Sequence, residues 1–200
     1  MEVRKDMSIE TLRVIAIFLV IAIHLTNDGM LKSSGTFYEH LGYTFQNIRM
    51  PLFTVISGYL YSVRPVNVGQ FPQFFKGKLR RIILPLICVS LIEFIAASVL
   101  ADREHISEIW KVIVFPYEHY WFLQTIFLIF MFMFLVERFN LISGFYSWLT
   151  LTLIFCIAYL VSPYTRLSIP LFSTNAIVYL MPFFLFGYGL FSHQDFLDKL

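Results

Sequence analysis

Apolar residues along the chain gather into six runs separated by short polar stretches. They fall at about Ile9–Leu25, Phe45–Val63, Ile82–Leu100, Trp121–Val136, Phe145–Val161 and Ala176–Phe191. A membrane helix needs about 20 mostly apolar residues, so the pattern predicts an all-α polytopic membrane helix bundle of about six transmembrane helices. Several runs are short for a full crossing, so their ends should extend into the polar flanks. There is no internal repeat and no low-complexity stretch.

Composition agrees with the pattern. Of 200 residues, 58% are hydrophobic and 14% are charged, and Phe alone occurs 23 times. Soluble domains carry about 25% charged residues. A soluble enzyme, a disordered chain and a nucleic-acid binder are thereby disfavoured, and the lipid bilayer is the expected partner. Cys88 and Cys156 both lie in apolar runs, and no CxxC occurs, so neither a disulfide nor a metal site is expected. The first run could pass for a cleaved signal peptide behind Arg4 and Lys5. No small-x-small cleavage site follows Leu25, however, and Arg13 lies too far into the run, so the segment reads as a retained helix.

The net charge of +2 is small, so where the charges sit matters more. With the N-terminus cytoplasmic, the inside holds Arg4, Lys5, Arg13, Arg64, Lys76, Lys78, Arg80, Arg81, Arg138 and Lys199. The outside holds Lys32, Arg49, Arg103, Lys111 and Arg166, so the balance is 10 against 5. The stretch between the second and third runs decides it, because it holds five basic residues and no acid. A multi-pass protein of the plasma membrane, with both ends of this chain cytoplasmic, is the expected topology.

Ionisable residues inside apolar helices are costly and therefore candidates for function. Arg13 and His24 are 11 residues apart. On a helix this is about 20° past three full turns, so they share one face about 16 Å apart along the axis. Each also reads as an end-of-helix residue that snorkels to the interface. His24 is suited to act as a general base near neutral pH. No Ser-His-Asp constellation can be assembled, so a His acting directly on a hydroxyl is simpler than a covalent enzyme. Glu93 lies inside the third run, where it could pair with an Arg, line a water-filled path or make a helix–helix hydrogen bond. Arg49, expected at the outer start of the second helix, could clamp an anion or anchor the interface.

The basic stretch Phe74-Phe75-Lys76-Gly77-Lys78-Leu79-Arg80-Arg81 reads as an inside loop held by its charge, or as a phosphate-binding site. No GxxxxGK[ST] or GxGxxG loop is present. Gly187 and Gly189 fall mid-helix, where glycine allows close helix packing. Tyr120 and Trp121 fit an aromatic belt at the outer edge of the fourth helix.

Several of these stretches occur in the order found in the acyltransferase-3 family of integral membrane acyltransferases, which the chain resembles. They are Arg-x10-His at Arg13 and His24, Pro51-Leu52-Phe53-Thr54-Val55-Ile56-Ser57-Gly58-Tyr59-Leu60, and the basic Arg80-Arg81-Ile82-Ile83-Leu84-Pro85. In the last of these, Lys78-x-x-Arg81 stands where many members have Arg-x-x-Arg. His119-Tyr120-Trp121-Phe122-Leu123 and Pro182-Phe183-Phe184-Leu185-Phe186-Gly187 complete the set. The pattern is similar to the branch that includes fucose-4-O-acetylase-like sugar O-acetylases. Two features depart from the family. Many members carry an Asp seven positions before the Gly of the Ser-Gly pair, where this chain has Pro51. The family is also usually longer, and the matched motifs belong to its N-terminal part. Residues 1–200 then read as a single transmembrane acyltransferase domain whose C-terminal helices are missing.

The resemblance implies transfer of an acyl group, often acetyl, from cytoplasmic acyl-CoA to a hydroxyl of a surface polysaccharide or lipid-linked glycan. Acyl-CoA (acetyl-CoA) would be a co-substrate, with no permanently bound cofactor. His24 would be the base, Arg13 would bind or polarise the donor, and Lys78, Arg80 and Arg81 would hold the CoA phosphates. Arg49, Ser57, Glu93, His119 and Trp121 are the further candidates for the substrate pocket. A transporter or flippase with Glu93, Arg13 and His24 along its path is one alternative, and a catalytically inactive truncated membrane partner is another. The first would not consume acyl-CoA.

Overall fold

The computed structural model describes residues 11, 12, 14–18, 21, 37–100, 109, 110, 114, 115, 120–165 and 173–194. Among them, every regular element is helical. In chain order these are α1 (Phe37–Val63), α2 (Phe71–Lys78), a π-helical turn (Leu79–Ile83), α3 (Leu84–Leu100), α4 (Trp121–Arg138), α5 (Phe145–Thr165) and α6 (Asn175–Ser192). A 3-10 turn, Val68–Gln70, leads into α2. Of the first apolar run, residues 11, 12, 14–18 and 21 are described and helical. Ala16 is buried there, whereas Val14, Ile17 and Phe18 are exposed.

Four helical stretches among the described residues are long and apolar enough to cross a membrane: Val68–Val99, Trp121–Arg138, Phe145–Ser162 and Asn175–Ser192. The chain is therefore an all-α, multi-pass membrane protein. α1 has 27 residues and is long enough, but Gln46, Asn47 and Arg49 make it more polar than those four. The stretch expected to be a loop before the third span is instead helix. Pro72 sits in the first turn of α2, where its missing N–H is no loss, and the chain then stays helical through Leu100.

The chain divides into two compact units, Met1–Arg64 with Phe183–Leu200, and Pro65–Pro182. In the first unit, α1 packs on the later half of α6 through two glycines. A Cβ on Gly58 would fall on the carbonyl oxygen of Phe184 and 3.0 Å from the Tyr188 nitrogen. A Cβ on Gly187 would fall on the carbonyl oxygen of Val55 and 2.9 Å from its Cα. Each glycine lets its helix backbone meet the other's, the packing that small residues permit in lipid. Tyr61 flanks the crossing, its ring centre 5.9 Å from Phe184 and 6.4 Å from Tyr188.

In the second unit, α4 is the central element, with Gln124, Thr125, Ile126, Phe127, Ile129, Phe130, Met133, Phe134 and Val136 buried. Its end is a Schellman-type cap. Asn140 takes a left-handed φ of 51°, and the Leu141 N–H donates to the Val136 carbonyl at 2.9 Å. Ser147 then closes the start of α5 on Gly144, accepting from its N–H at 3.0 Å and donating to its carbonyl at 2.8 Å. α5 leaves Leu153, Ile154, Ile157 and Leu160 exposed, as a helix facing lipid should.

Candidate functional site

Phe71, Phe74 and Phe75 recur at i, i+3 and i+4, so they line one side of α2. They lie on three phenylalanines of α4. Phe71 stacks on Phe134 at 4.3 Å between ring centres, Phe74 meets Phe130 edge-on at 6.2 Å, and Phe75 meets Phe127 at 5.9 Å. Lys78 is the next residue on that stripe. Its Nζ stands 3.2 Å from the centre of the Phe130 ring and 5.3 Å from that of Phe74. The aromatic faces thus hold a cation by its charge and its apolar stem.

Directly after Lys78 the helix widens, and the Leu84 N–H reaches back five residues to the Leu79 carbonyl. Such π turns recur at functional sites. This one carries Arg80 and Arg81, both exposed. No acidic residue occurs between Arg64 and Ile92, so the three cations are not neutralised along their own segment. Lys78, Arg80 and Arg81 are brought together at the start of α3, and charge-assisted bonds to phosphate oxygens are the chemistry such a group performs.

Glu93 lies further along α3. Its Oε2 is buried and has no hydrogen-bond partner, so this oxygen makes no helix–helix bond. One turn earlier, the Ser90 Oγ is also buried without a partner, and Ser90 is 1% exposed. Ser90 was missed at the sequence level, although a Ser three residues before a Glu in an apolar helix shares its face.

Trp121 opens α4, with Tyr120 as its N-cap residue. The first turn of α4 is tied by buried polar groups. The Gln124 Nε2 donates to the Phe115 carbonyl at 3.3 Å, and Ser173 Oγ donates to Gln124 Oε1 at 2.5 Å. Thr125 Oγ1 lies 2.9 Å from the Trp121 carbonyl and 3.2 Å from that of Ser173. Ser173 holds a left-handed φ of 54° at this point.

Arg49 and Ser57 belong to the first unit. Arg49 does not start its helix, as expected from sequence, but stands twelve residues into α1. It is 9% exposed, and its Nε and Nη1 have no partner. Burial of this kind does not suit an interface anchor. Gly58 follows it by nine residues, half a turn out of phase, so Arg49 lies on the side of α1 opposite the glycine crossing. Ser57 is half-buried beside that crossing. Arg13, His24 and His119 lie outside the described residues.

Comparison with curated proteins and with solved structures returns no match. The acyltransferase-domain family model matches residues 7–200. Because this match covers nearly the whole chain, including the half-buried Ser57, the Lys78–Arg81 cluster and the Gly187 crossing, the protein belongs to the acyltransferase-3 family of membrane acyltransferases.

Proposed function

We propose that this membrane acyltransferase moves an acyl group, acetyl in the first instance, from acyl-CoA to a hydroxyl of a surface polysaccharide or lipid-linked glycan. The motif resemblance to the fucose-4-O-acetylase-like branch supports a sugar hydroxyl as the acceptor. The observation that carries the donor half is the cation cluster of Lys78, Arg80 and Arg81, with Lys78 seated on Phe130 and no acidic neighbour along its segment. CoA is a polyanion, and three cations within one turn, Lys78 among them held on the Phe130 ring, offer its phosphates charge-assisted bonds.

In this reading, His24 takes the proton of the acceptor hydroxyl. The hydroxyl oxygen attacks the thioester carbonyl carbon, the C–O bond forms and the C–S bond breaks. The CoA sulfur leaves and takes up the proton from His24. Arg13 binds or polarises the donor. The cluster lies on the cytoplasmic side, and the protein resides in the plasma membrane with its N-terminus inside.

Mass spectrometry of surface glycans, with and without the protein, tests the proposal. Loss of one acetyl mass on deletion, restored by the wild-type chain and not by His24→Ala, is the expected result. An unchanged glycan profile on deletion, or full restoration by His24→Ala, would overturn the acceptor class or the base assignment respectively.

A further inference from the structure

Helical hydroxyls in apolar surroundings usually donate to the carbonyl three or four residues back. This chain follows the rule at several points. Thr54 bonds the Met50 carbonyl at 2.8 Å, Ser98 that of Phe94 at 2.9 Å, and Thr152 that of Trp148 at 2.8 Å. Ser90 breaks it. Its Oγ is buried and unpartnered although the residue is 1% exposed. Glu93, one turn later on the same side of α3, presents a second buried and unpartnered oxygen. Two orphaned polar atoms one helical turn apart are costly in a helix that otherwise spans hydrocarbon.

The side of α3 that carries them is the inner one. Leu86, Ser90 and Phe94 are buried at i, i+4 and i+8, while Ile92 is 68% and Val99 is 70% exposed on the other side. The pair also stands at a definite depth. Ser90 follows Arg81 by nine residues and Glu93 by twelve, which is about 14 and 18 Å along the helix. An acyl-CoA held by its phosphates at Arg80 and Arg81 would extend its flexible arm along such a distance.

The chemistry of the pair narrows the ligand. Glu93 Oε2 is an acceptor and the Ser90 hydroxyl can accept or donate. A ligand hydroxyl, which donates and accepts at once, complements both. A hard cation would want about six oxygen ligands, and among the described residues no group of three acidic, His or Cys side chains could hold one. We propose that Ser90 and Glu93 form the subsite that holds a hydroxyl of the sugar acceptor. The assignment rests on the acyltransferase reading above and adds the residues that meet the acceptor.

The test uses the detergent-solubilised chain and dicyclohexylcarbodiimide, an apolar reagent that reaches carboxyl groups inside hydrocarbon. Modification is read by mass spectrometry of the peptide containing Glu93, with Glu93→Gln as the blank. A panel of free hexoses and N-acetylhexosamines serves as the hydroxyl-bearing probe. At least one sugar is expected to slow modification of Glu93, and Ser90→Ala is expected to raise the concentration needed for half-protection about tenfold. Ser90→Cys, close in size, serves as the second variant if the alanine protein does not fold. Absence of protection by every sugar, or an unchanged half-protection concentration in the Ser90 variants, would overturn the subsite and leave an ordered water as the partner of the pair. Thiol release from acetyl-CoA is measured on the same preparation. Sugar protection without thiol release would keep the subsite and reject the acyltransfer reading, whereas thiol release without protection would do the reverse.

Discussion

The Lys78 ammonium stands 3.2 Å from the centre of the Phe130 ring, at the end of the stripe by which α2 lies on α4. The relationship joins two levels of the protein. Phenylalanine spacing on α2 and α4 supplies the packing, and the same rings then fix a cation beside the exposed Arg80 and Arg81. Three like charges within a single turn repel one another, so a polyanion that binds them relieves a standing cost.

Phe130→Leu keeps an apolar residue in the core of α4 and removes the ring under Lys78. It is expected to raise the KM for acyl-CoA several-fold with little change in kcat, and to lower stability by about 1–2 kcal/mol. Donor titration and thermal unfolding in detergent give the two values. An unchanged KM would mean that the ring does not hold Lys78 for the donor.

Gly58→Ala and Gly187→Ala each place a methyl group against the backbone of the facing helix. Each is expected to destabilise the protein by about 1–3 kcal/mol, as overpacking does. Gly77→Ala is the contrast, because nothing lies within 4 Å of its added Cβ. It should be neutral, or stabilising by up to about 1 kcal/mol in a helix. Equal effects at all three positions would refute the close crossing.

These positions also indicate what the amino-acid pattern alone could convey. The runs expected at Trp121–Val136, Phe145–Val161 and Ala176–Phe191 emerge as α4, α5 and α6 with ends extended by four residues or fewer, because continuous apolar character marks a span well. Gly187 was legible as a packing position, but its partner Gly58 was not, since the crossing is a long-range event. The start of α1 at Phe37 was hidden because Glu39, His40 and Asn47 are polar and still helical. The basic stretch was expected to be a loop because charge outweighed the stripe Phe71, Phe74, Phe75 and Lys78. Ser90 was overlooked because a serine in an apolar helix ordinarily satisfies itself on its own backbone, and only the structure reveals that this one does not.

Gln124→Leu removes the partner of the Ser173 hydroxyl and of the Phe115 carbonyl. The groups left behind are buried, so a loss of about 1–3 kcal/mol is expected. Hydrogen exchange at residues 173–176 should rise more than at α5. A uniform change across the chain would instead indicate general loosening.

Arg49→Met replaces a buried guanidinium, two of whose nitrogens lack partners, by an apolar side chain of similar length. The ligand-free protein is expected to keep or gain thermal stability, since an unpaired buried charge is costly. If Arg49 serves substrate binding, acyl transfer falls while the Tm holds. A large drop in Tm would show that Arg49 is a structural residue instead.

The double variant Lys78→Ala with Arg81→Ala probes donor binding by this cluster through the dependence of thiol release on acetyl-CoA concentration. Arg81 is exposed, and Lys78 meets α4 only at the Phe130 ring, beyond the Phe71–Phe134, Phe74–Phe130 and Phe75–Phe127 contacts that remain, so the folded membrane protein should persist. If the cluster holds the CoA phosphates, the KM for acetyl-CoA rises at least about tenfold, with kcat at saturating donor changed far less. A donor KM equal to that of the wild type would contradict it.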